Sequence, residues 1–341
     1  MASLPVELLT AIFDEYANNL SVLHACTLVN RNWCAVALQD LWAKPFTLLL
    51  SSQEEQSSMN RVDNLITTFL ECFSDVNSHE KLLCKKYSKK FPLDYSLYLK
   101  KIDFSEILKL TSESGICNND SARLKIIYLA INHCPNLERL SLTELPYDQS
   151  QFLDSVESLP NLRILRLDLN LDAKIFSTFA KIAHNLKIIS VGVQKKEMEF
   201  KLHDDHNHEL QTLIQSQHQL KAFAMKNIIV KMRSVFILLE SQLDSLKLLH
   251  LEDIDIGCVS DDFNIKPIKF HQLASIQLKS CQIETGGLKP IFEADLPKLQ
   301  QLELAYTRWD CKSDWTSLHQ KYKNQIVDSG VNVVGNAFYF H

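Results

Sequence analysis

The stretch LASIQLKSCQI, residues 273–283, decides the fold of this chain. It has the spacing Leu-x-x-Leu-x-Leu, with Ile276 at the second apolar position, and Cys281 and Ile283 follow the last leucine. Apolar residues that alternate with polar ones predict a short β-strand with one buried face. The same spacing recurs along the chain, so an internal repeat organises most of it.

Eight copies of this pattern cover the chain from residue 99 onward, with other apolar residues in place of some leucines. Their first leucines lie at positions 99, 137, 162, 186, 220, 246, 273 and 299. Most intervals are about 26 residues long, the length of one helix and one strand in a repeat protein. The two longer intervals, from 99 to 137 and from 186 to 220, indicate insertions.

Apolar residues at helical spacing precede several of these strands, so the predicted unit is a helix, a turn and a strand. One such unit cannot bury its apolar face alone, whereas stacked units share a continuous core. We also predict a last helix and a closing strand at 331–340. The helical stripes are Phe152, Leu153, Val156 and Leu159; Ile175, Phe176, Phe179 and Ile182; Val235, Leu238, Leu239 and Leu243; and Trp315, Leu318, Tyr322 and Ile326.

Residues 97–341 resemble the leucine-rich repeat family, whose full signature is met at 273–283. The resemblance implies an irregular α/β horseshoe with parallel strands on its concave face, in which Cys281 forms hydrogen bonds inside a repeat turn. Asn170 fits the same signature position in its own copy. Outward strand residues are then expected to contact a substrate, with plain solvent exposure as the competing interpretation of each: Arg139, Arg166, Asp168, Lys226, His250, Glu252, Gln277, Lys279 and Glu303.

Residues 1–46 lack the repeat and indicate three short amphipathic helices. Pro5 and Glu7 suit a first helical turn, and an apolar stripe follows at Leu8, Leu9, Ile12 and Phe13. Helices this short cannot hide all of their apolar side chains, so we expect some to lie against a partner. Each side chain buried there would contribute roughly 1.5–3 kcal/mol, against an association cost of roughly 4–15 kcal/mol.

The opening LPVELL (4–9) and the stretch LVNRNWCAVALQDLW (28–42) resemble the F-box in order, spacing and residue type. The segment between them departs from the family pattern, because no Pro or Asp lies near 18–20. The resemblance implies docking on the Skp adaptor and, through it, on a cullin scaffold. Burial inside a helical cap of the repeats is the competing interpretation. The expected adaptor-binding residues are Leu4, Pro5, Leu8, Ile12, Val29 and Trp33.

These patterns predict an α+β chain with a three-helix F-box at 1–46, a helical linker at 47–96 and a leucine-rich-repeat solenoid with a C-terminal cap at 97–341. F-box proteins of this arrangement are typically substrate-recognition subunits of Skp–cullin–F-box ubiquitin ligases and perform no catalysis themselves. We therefore expect a receptor for an unidentified protein substrate. Three alternatives stay open: an adaptor-binding scaffold outside degradation, a repeat interaction module that uses its first helices as a cap, and an unrecognised enzyme.

Composition narrows the possible partners and cofactors. A net charge of -5 shows no basic excess, so we expect neither nucleic acid nor an anionic membrane as a partner. Only seven glycines are present, and no phosphate-binding glycine motif occurs. Nine cysteines without a CxxC pair, together with the lack of a signal-peptide pattern, indicate the cytoplasm or nucleus. The segment HDDHNH (203–208) could ligate zinc, but we expect a polar loop with Asn207 as a helix N-cap, and no metal or cofactor.

Overall fold

The computed structural model divides into two compact units. Unit 1 comprises Met1–Pro146 and Phe152–Leu162, and unit 2 comprises Tyr147–Gln151 and Arg163–His341. The structure describes residues 4–52, 58–72, 95–112, 120–145, 156–193, 204–257, 268–309, 312–329, 332–333 and 338–339.

Unit 1 begins with helices, two of which start at asparagine caps. Asn19 Oδ1 accepts a hydrogen bond from the Val22 N–H at 3.1 Å, and Asn30 Oδ1 accepts from the Asn32 and Trp33 N–H groups at 3.0 and 3.1 Å. These bonds satisfy donors that have no partner within the helix. Asn19 thus caps a helix in the segment that departs from the F-box pattern by having no Pro or Asp near 18–20. The helices are α1 (Val6–Glu15), α2 (Leu20–Thr27), α3 (Arg31–Ala43), α4 (Pro45–Ser51) and α5 (Ser58–Cys72).

Helices α1, α2 and α3 enclose a small apolar core, which confirms the predicted three-helix arrangement. The rings of Phe13 and Trp33 meet edge to face with centroids 5.5 Å apart, a geometry that aromatic pairs favour. Leu48 of α4 extends the core beyond the third helix. Its buried members are Leu9, Phe13, Leu23, Cys26, Val36, Ala37 and Leu48.

The first two repeat copies form strands within unit 1. Strand β1 (Lys101–Asp103) leads into α6 (Phe104–Thr111), and α7 (Asp120–His133) precedes β2 (Arg139–Leu142). The two strands are parallel, with Lys101 opposite Arg139. The Lys100 carbonyl accepts hydrogen bonds from the Glu138 and Arg139 N–H groups at 2.8 and 2.9 Å.

Unit 2 contains a sheet of parallel strands that lie side by side in chain order. Each of the six remaining copies supplies one strand, which begins two residues after the first leucine, and that leucine is buried every time. All eight predicted strands are therefore confirmed. A further strand at Ile326 has no leucine pattern and was not predicted. The strands are β3 (Ile164–Asp168), β4 (Ile188–Gly192), β5 (Ala222–Lys226), β7 (Leu248–Glu252), β9 (Ser275–Lys279), β11 (Gln301–Ala305) and β13 (Ile326–Ser329).

A second sheet of two-residue strands runs along unit 2. A residue with a left-handed backbone directly follows each of β5, β7, β9 and β11, with φ between 52° and 55° at Asn227, Asp253, Ser280 and Tyr306. Such residues let the chain turn sharply from one sheet to the other. The strands are β6 (Ile229–Val230), β8 (Asp255–Ile256), β10 (Gln282–Ile283), β12 (Arg308–Trp309), β14 (Asn332–Val333) and β15 (Phe338–Tyr339), of which the last two pair antiparallel.

Helices connect the strands of unit 2 and pack against one another in chain order. In α8 the predicted stripe Ile175, Phe176, Phe179 and Ile182 is buried. The helices are α8 (Lys174–Ile182), α9 (Asp204–Gln215), α10 (Met232–Leu238), α11 (Lys289–Glu293) and α12 (Lys312–Tyr322).

Four details of the helix predictions are wrong. Helix α9 begins at Asp204, so Asn207 lies inside it and is not its N-cap. Helix α12 ends at Tyr322, and Ile326 begins a strand. Residues 156–162 are not helical, although Val156 and Leu159 are buried; Phe152 and Leu153 lie outside the described residues. Helix α10 ends before Leu239 and Leu243, so it holds only half of its predicted stripe.

Candidate docking surfaces

Helix α1 carries apolar side chains on two faces. Leu9 and Phe13, four residues apart, are fully buried in the core of the first three helices. Leu8 and Ile12 have the same spacing, and they are 53% and 40% exposed. Because residues four apart share a helix face, the single stripe in the sequence divides into an inward and an outward pair. The outward pair is available to a partner protein.

A second exposed apolar group lies between α2 and α3. Leu28 is 75% exposed and Val29 is 56% exposed, and Leu4 and Pro5, which precede α1, are exposed as well. Helix α2 ends at Thr27, and Leu28 is its C-cap residue. Leu28 and Val6, which is 55% exposed, are thus apolar surface residues that the pattern did not identify.

Trp33 differs from the other expected adaptor-binding residues because it is half-buried. Its ring contacts Phe13 edge to face, and its side chain packs against the buried core. Replacing Trp33 would therefore disturb the helices as well as any interface. Trp42, at the end of the same motif, stacks on Tyr95 with ring centroids 4.4 Å apart.

Two half-buried charges follow at the end of α3. Burial raises the pKa of the Asp40 carboxyl and lowers the pKa of the Lys44 ammonium, and the nearby Asp14 carboxylate adds to the shift of Asp40. Both shifts favour the neutral form of the group.

The outward residues of the larger sheet of unit 2 form rows across the strands, because the strands pair in register. His250 lies opposite Ala224 on one side and Gln277 on the other. The middle row is Arg166, Ser190, Ala224, His250, Gln277 and Glu303, and the row at the strand ends is Asp168, Gly192, Lys226, Glu252, Lys279 and Ala305.

Polar side chains on these rows pair with one another from strand to strand. Lys226 Nζ donates to Glu252 Oε1 at 3.0 Å, and a ring nitrogen of His250 lies 2.9 Å from Gln277 Oε1. Lys279 and Glu303 form an ion pair at 3.2 Å. The hydrogen bond from Lys226 holds the pKa of Glu252 below its usual value. These residues are accessible, but a partner would compete with existing cross-strand pairs.

Three positions of the expected substrate surface differ in their exposure. Arg139 is exposed on β2 of unit 1, and Arg166 is exposed on β3 of unit 2. Asp168 is only 4% exposed, so the expectation that it faces a partner is wrong. Its carboxylate accepts a hydrogen bond from the Asn170 N–H at 3.0 Å and stabilises the turn that follows β3.

Cys281 has the structural role that the repeat resemblance implied. Its thiol donates to the carbonyls of Leu251 and Lys279 at 3.5 and 3.4 Å. Burial raises its pKa to about 12, so the thiol is neutral and inert. Asn170, at the same signature position in its own copy, differs from Cys281 because it is exposed.

Only part of the histidine-rich segment lies among the described residues. His203 lies outside the described residues, and Asp204 and Asp205 lie in the first turn of α9. His206 Nε2 is 3.1 Å from the Leu171 carbonyl oxygen, and its ring packs edge-on near Phe176. Within the described part of the chain, no three His, Cys, Asp or Glu side chains are grouped to hold a metal ion.

Comparison with known proteins found a family match at the start of the chain and a matching solved structure. Residues 1–48 match the family model described as F-box-like. A matching solved structure is the crystal structure of a TLR13–ssRNA13 complex, at 17% identity and a TM-score of 0.30, over 61% of this chain and 34% of that one. This chain thus spans about a third of the length of that structure. The comparison with curated proteins found no match.

The buried leucines, parallel strands and recurring left-handed turns make unit 2 an α/β solenoid of the leucine-rich-repeat type. The helices that begin unit 1 form an F-box-like domain at residues 1–48. Among the described residues, none of the helices has the length and apolar character needed to cross a bilayer.

Proposed function

We propose that this chain is the substrate-recognition subunit of a Skp–cullin–F-box ubiquitin ligase. Its F-box-like domain binds the Skp adaptor, which links it to the cullin scaffold, and its repeats bind a protein substrate. The chain itself performs no chemistry; it holds the substrate where ubiquitin is transferred.

The exposed apolar side chains of the F-box-like domain are the observation that carries this proposal. The first three helices and Leu48 of α4 share a buried core, yet Leu4, Leu8, Ile12 and Val29 are between 40% and 56% exposed. Apolar groups presented by small helices are typical of a helix-mediated protein interface. We assign them to the adaptor contact, together with Pro5 and the exposed part of Trp33.

The repeat surface supports the second half of the proposal. Most outward residues of the larger sheet of unit 2 are at least partly exposed, carry both charges and lie on a regular scaffold. Parallel strands that present side chains at fixed spacing suit the recognition of another protein. We propose the cytoplasm or nucleus as the location. The thiols of Cys26, Cys34, Cys72, Cys134 and Cys281 are not in disulfides, which agrees with a reducing compartment.

Adaptor binding is tested with purified full-length chain and purified Skp adaptor on a sizing column. The chain should co-elute with the adaptor. Changing Leu8→Asp and Val29→Asp together should abolish co-elution while the circular dichroism spectrum stays that of the wild type. Ile237→Asp is the matched control, because Ile237 is also an exposed apolar residue, 43% accessible, but lies on α10 of unit 2. Co-elution of the folded Leu8→Asp, Val29→Asp variant would contradict the assigned surface.

Ubiquitin transfer separates a ligase receptor from a scaffold. Proteins captured with the full chain under proteasome inhibition should carry ubiquitin, and the Leu8→Asp, Val29→Asp variant should capture the same proteins without it. If the captured proteins show no ubiquitin difference between the two chains, the chain is an adaptor-bound scaffold. If the chain fails to bind the adaptor at all, it is a repeat interaction module.

A further inference from the structure

Four consecutive strands of unit 2 begin after a basic residue. Arg163, Lys187, Lys221 and Lys247 each directly precede the first residue of β3, β4, β5 and β7. Arg163 and Lys247 are exposed, and Lys187 and Lys221 are partly exposed. We call these four residues the basic row.

Backbone hydrogen bonds hold the basic row in register. The Arg163 carbonyl accepts from the Lys187 N–H at 2.7 Å, the Lys187 carbonyl from the Lys221 N–H at 2.8 Å, and the Lys221 carbonyl from the Lys247 N–H at 2.8 Å. Each of these residues therefore lies beside the next one on the neighbouring strand. At the usual strand spacing of about 4.8 Å, the row is about 14 Å long.

The charges of the basic row are not neutralised within the described residues. The described carboxylates form no ion pair with any of the four, and no side-chain hydrogen bond is described for them. In unit 1 the same repeat position is different, because Lys100 pairs with Glu138 at 3.5 Å. Four like charges side by side repel one another, so the row is stabilised when an anionic partner covers it.

The turns that lead into these strands add little negative charge. The residue three positions before each lysine is His184, His218 or Asp244, and the Asp244 carboxylate lies 3.8 Å from His271 Nε2. The local charge at the basic row is thus positive, although the net charge of the whole chain is -5. A local positive potential of this kind recruits and orients acidic partners.

We propose that the basic row binds an extended acidic segment, rich in Asp and Glu, of a partner protein. An extended chain advances about 3.3 Å per residue, so about five residues span the row. Carboxylates along that segment pair with the four cations, and the contact is electrostatic and therefore sensitive to salt. In the proposed ligase this acidic segment belongs to the substrate. The inference rests on the proposed ligase function only for the biological purpose of the binding.

The neighbouring side chains favour a protein over a nucleic acid. The first residue of each of these strands is aliphatic, and Ile164, Ile188 and Leu248 are partly exposed. Such residues accept apolar side chains that flank an acidic run. Single-stranded nucleic acid is held by stacking on aromatic rings, and the outward positions of β3, β4, β5 and β7 carry none except the imidazole of His250.

The test is fluorescence anisotropy with the full-length chain and a labelled peptide of about six consecutive glutamates, enough to span the row. We expect saturable binding at about 0.05 M salt that weakens strongly at about 0.3 M. The variant Lys187→Glu with Lys221→Glu should weaken binding by at least about tenfold, because it replaces two attractive contacts with repulsive ones. A peptide with glutamine in place of glutamate should not bind.

The matched control is Lys174→Glu with Lys181→Glu, which makes the same change in charge on helix α8 of the same unit and should leave peptide affinity unchanged. Equal losses in the two variants would show that only net charge matters and would overturn the proposal. The proposal would also be overturned if a single-stranded oligonucleotide bound more tightly than the peptide and if this binding were lost in the Lys187→Glu, Lys221→Glu variant. Adaptor is absent from this measurement, so its outcome is independent of the adaptor-binding test.

Discussion

The side-chain amide of Gln242 joins two successive repeats by donating from Nε2 to the backbone carbonyl of Gln217 at 2.9 Å. Its Oε1 also accepts from the Leu220 N–H at 3.1 Å. Gln217 does the same one repeat earlier, where its Oε1 accepts from the Leu186 N–H at 2.9 Å and its Nε2 donates to the Ala183 carbonyl at 2.8 Å. Both glutamines are 3% exposed, so they satisfy buried backbone groups that water cannot reach.

Replacing Gln242 with Ala should destabilise unit 2 by about 2–4 kcal/mol, because it leaves several buried donors and acceptors without a partner. Urea denaturation followed by circular dichroism measures the loss. Gln300→Ala is the control, since Gln300 is exposed, and it should change stability by less than about 0.5 kcal/mol. Equal effects of the two substitutions would refute a bridging role for Gln242.

Gly192 should not tolerate a side chain. A Cβ atom at this position would lie 2.6 Å from the Lys226 carbonyl oxygen on the neighbouring strand β5, well inside normal contact distance. Gly192→Ala should therefore destabilise unit 2 by about 1–3 kcal/mol, measured as a fall in thermal midpoint. The control is Ser190→Ala, two residues earlier on the same face of β4, which should leave the thermal midpoint nearly unchanged. An unchanged midpoint for Gly192→Ala would show that the strands separate at no cost.

Tyr306 occupies a left-handed turn position with φ of 55° and is 75% exposed. The equivalent turns use Asn227, Asp253 and Ser280, and a bulky residue is disfavoured in this conformation by roughly 1 kcal/mol. Tyr306→Asn should raise the thermal midpoint, because asparagine adopts this backbone more readily. A lower midpoint would mean that the Tyr306 ring stabilises the fold through contacts that outweigh the backbone cost.

Tyr322 should make the fold sensitive to alkali. Its hydroxyl donates to the Ile291 carbonyl at 3.2 Å, and burial raises its pKa from 10.0 to about 12. Because the folded chain favours the protonated phenol, this stabilisation is complete below pH 10 and is lost as the pH rises toward about 12. Burial of the Cys281 thiol acts in the same direction.

Thermal midpoints measured between neutral and alkaline pH test this dependence. Tyr322→Phe should cost about 1 kcal/mol at neutral pH through the lost hydrogen bond, and its stability should fall less steeply above pH 10 than that of the wild type. A decline as steep as that of the wild type would assign the alkaline sensitivity to other groups.

The repeat leucines explain why much of the fold was predictable. A residue such as Leu220 or Leu273 is buried because of a pattern only six residues long, and every copy of that pattern forms a strand. Helix ends were less predictable, because the end of α12 at Tyr322 and the start of a strand at Ile326 depend on pairing with β11. The local sequence there also fits a longer helix.

By itself, the sequence determined the repeat, its strands and the F-box-like helices, because short-range apolar spacing decides which residues must leave water. Only the tertiary structure decided which apolar residues of α1 point outward, that the Asp168 side chain turns back onto its own backbone, and that Lys187 and Lys221 lie side by side. Those relationships depend on the angle at which helices pack and on hydrogen bonds between residues a full repeat apart. No local pattern contains them.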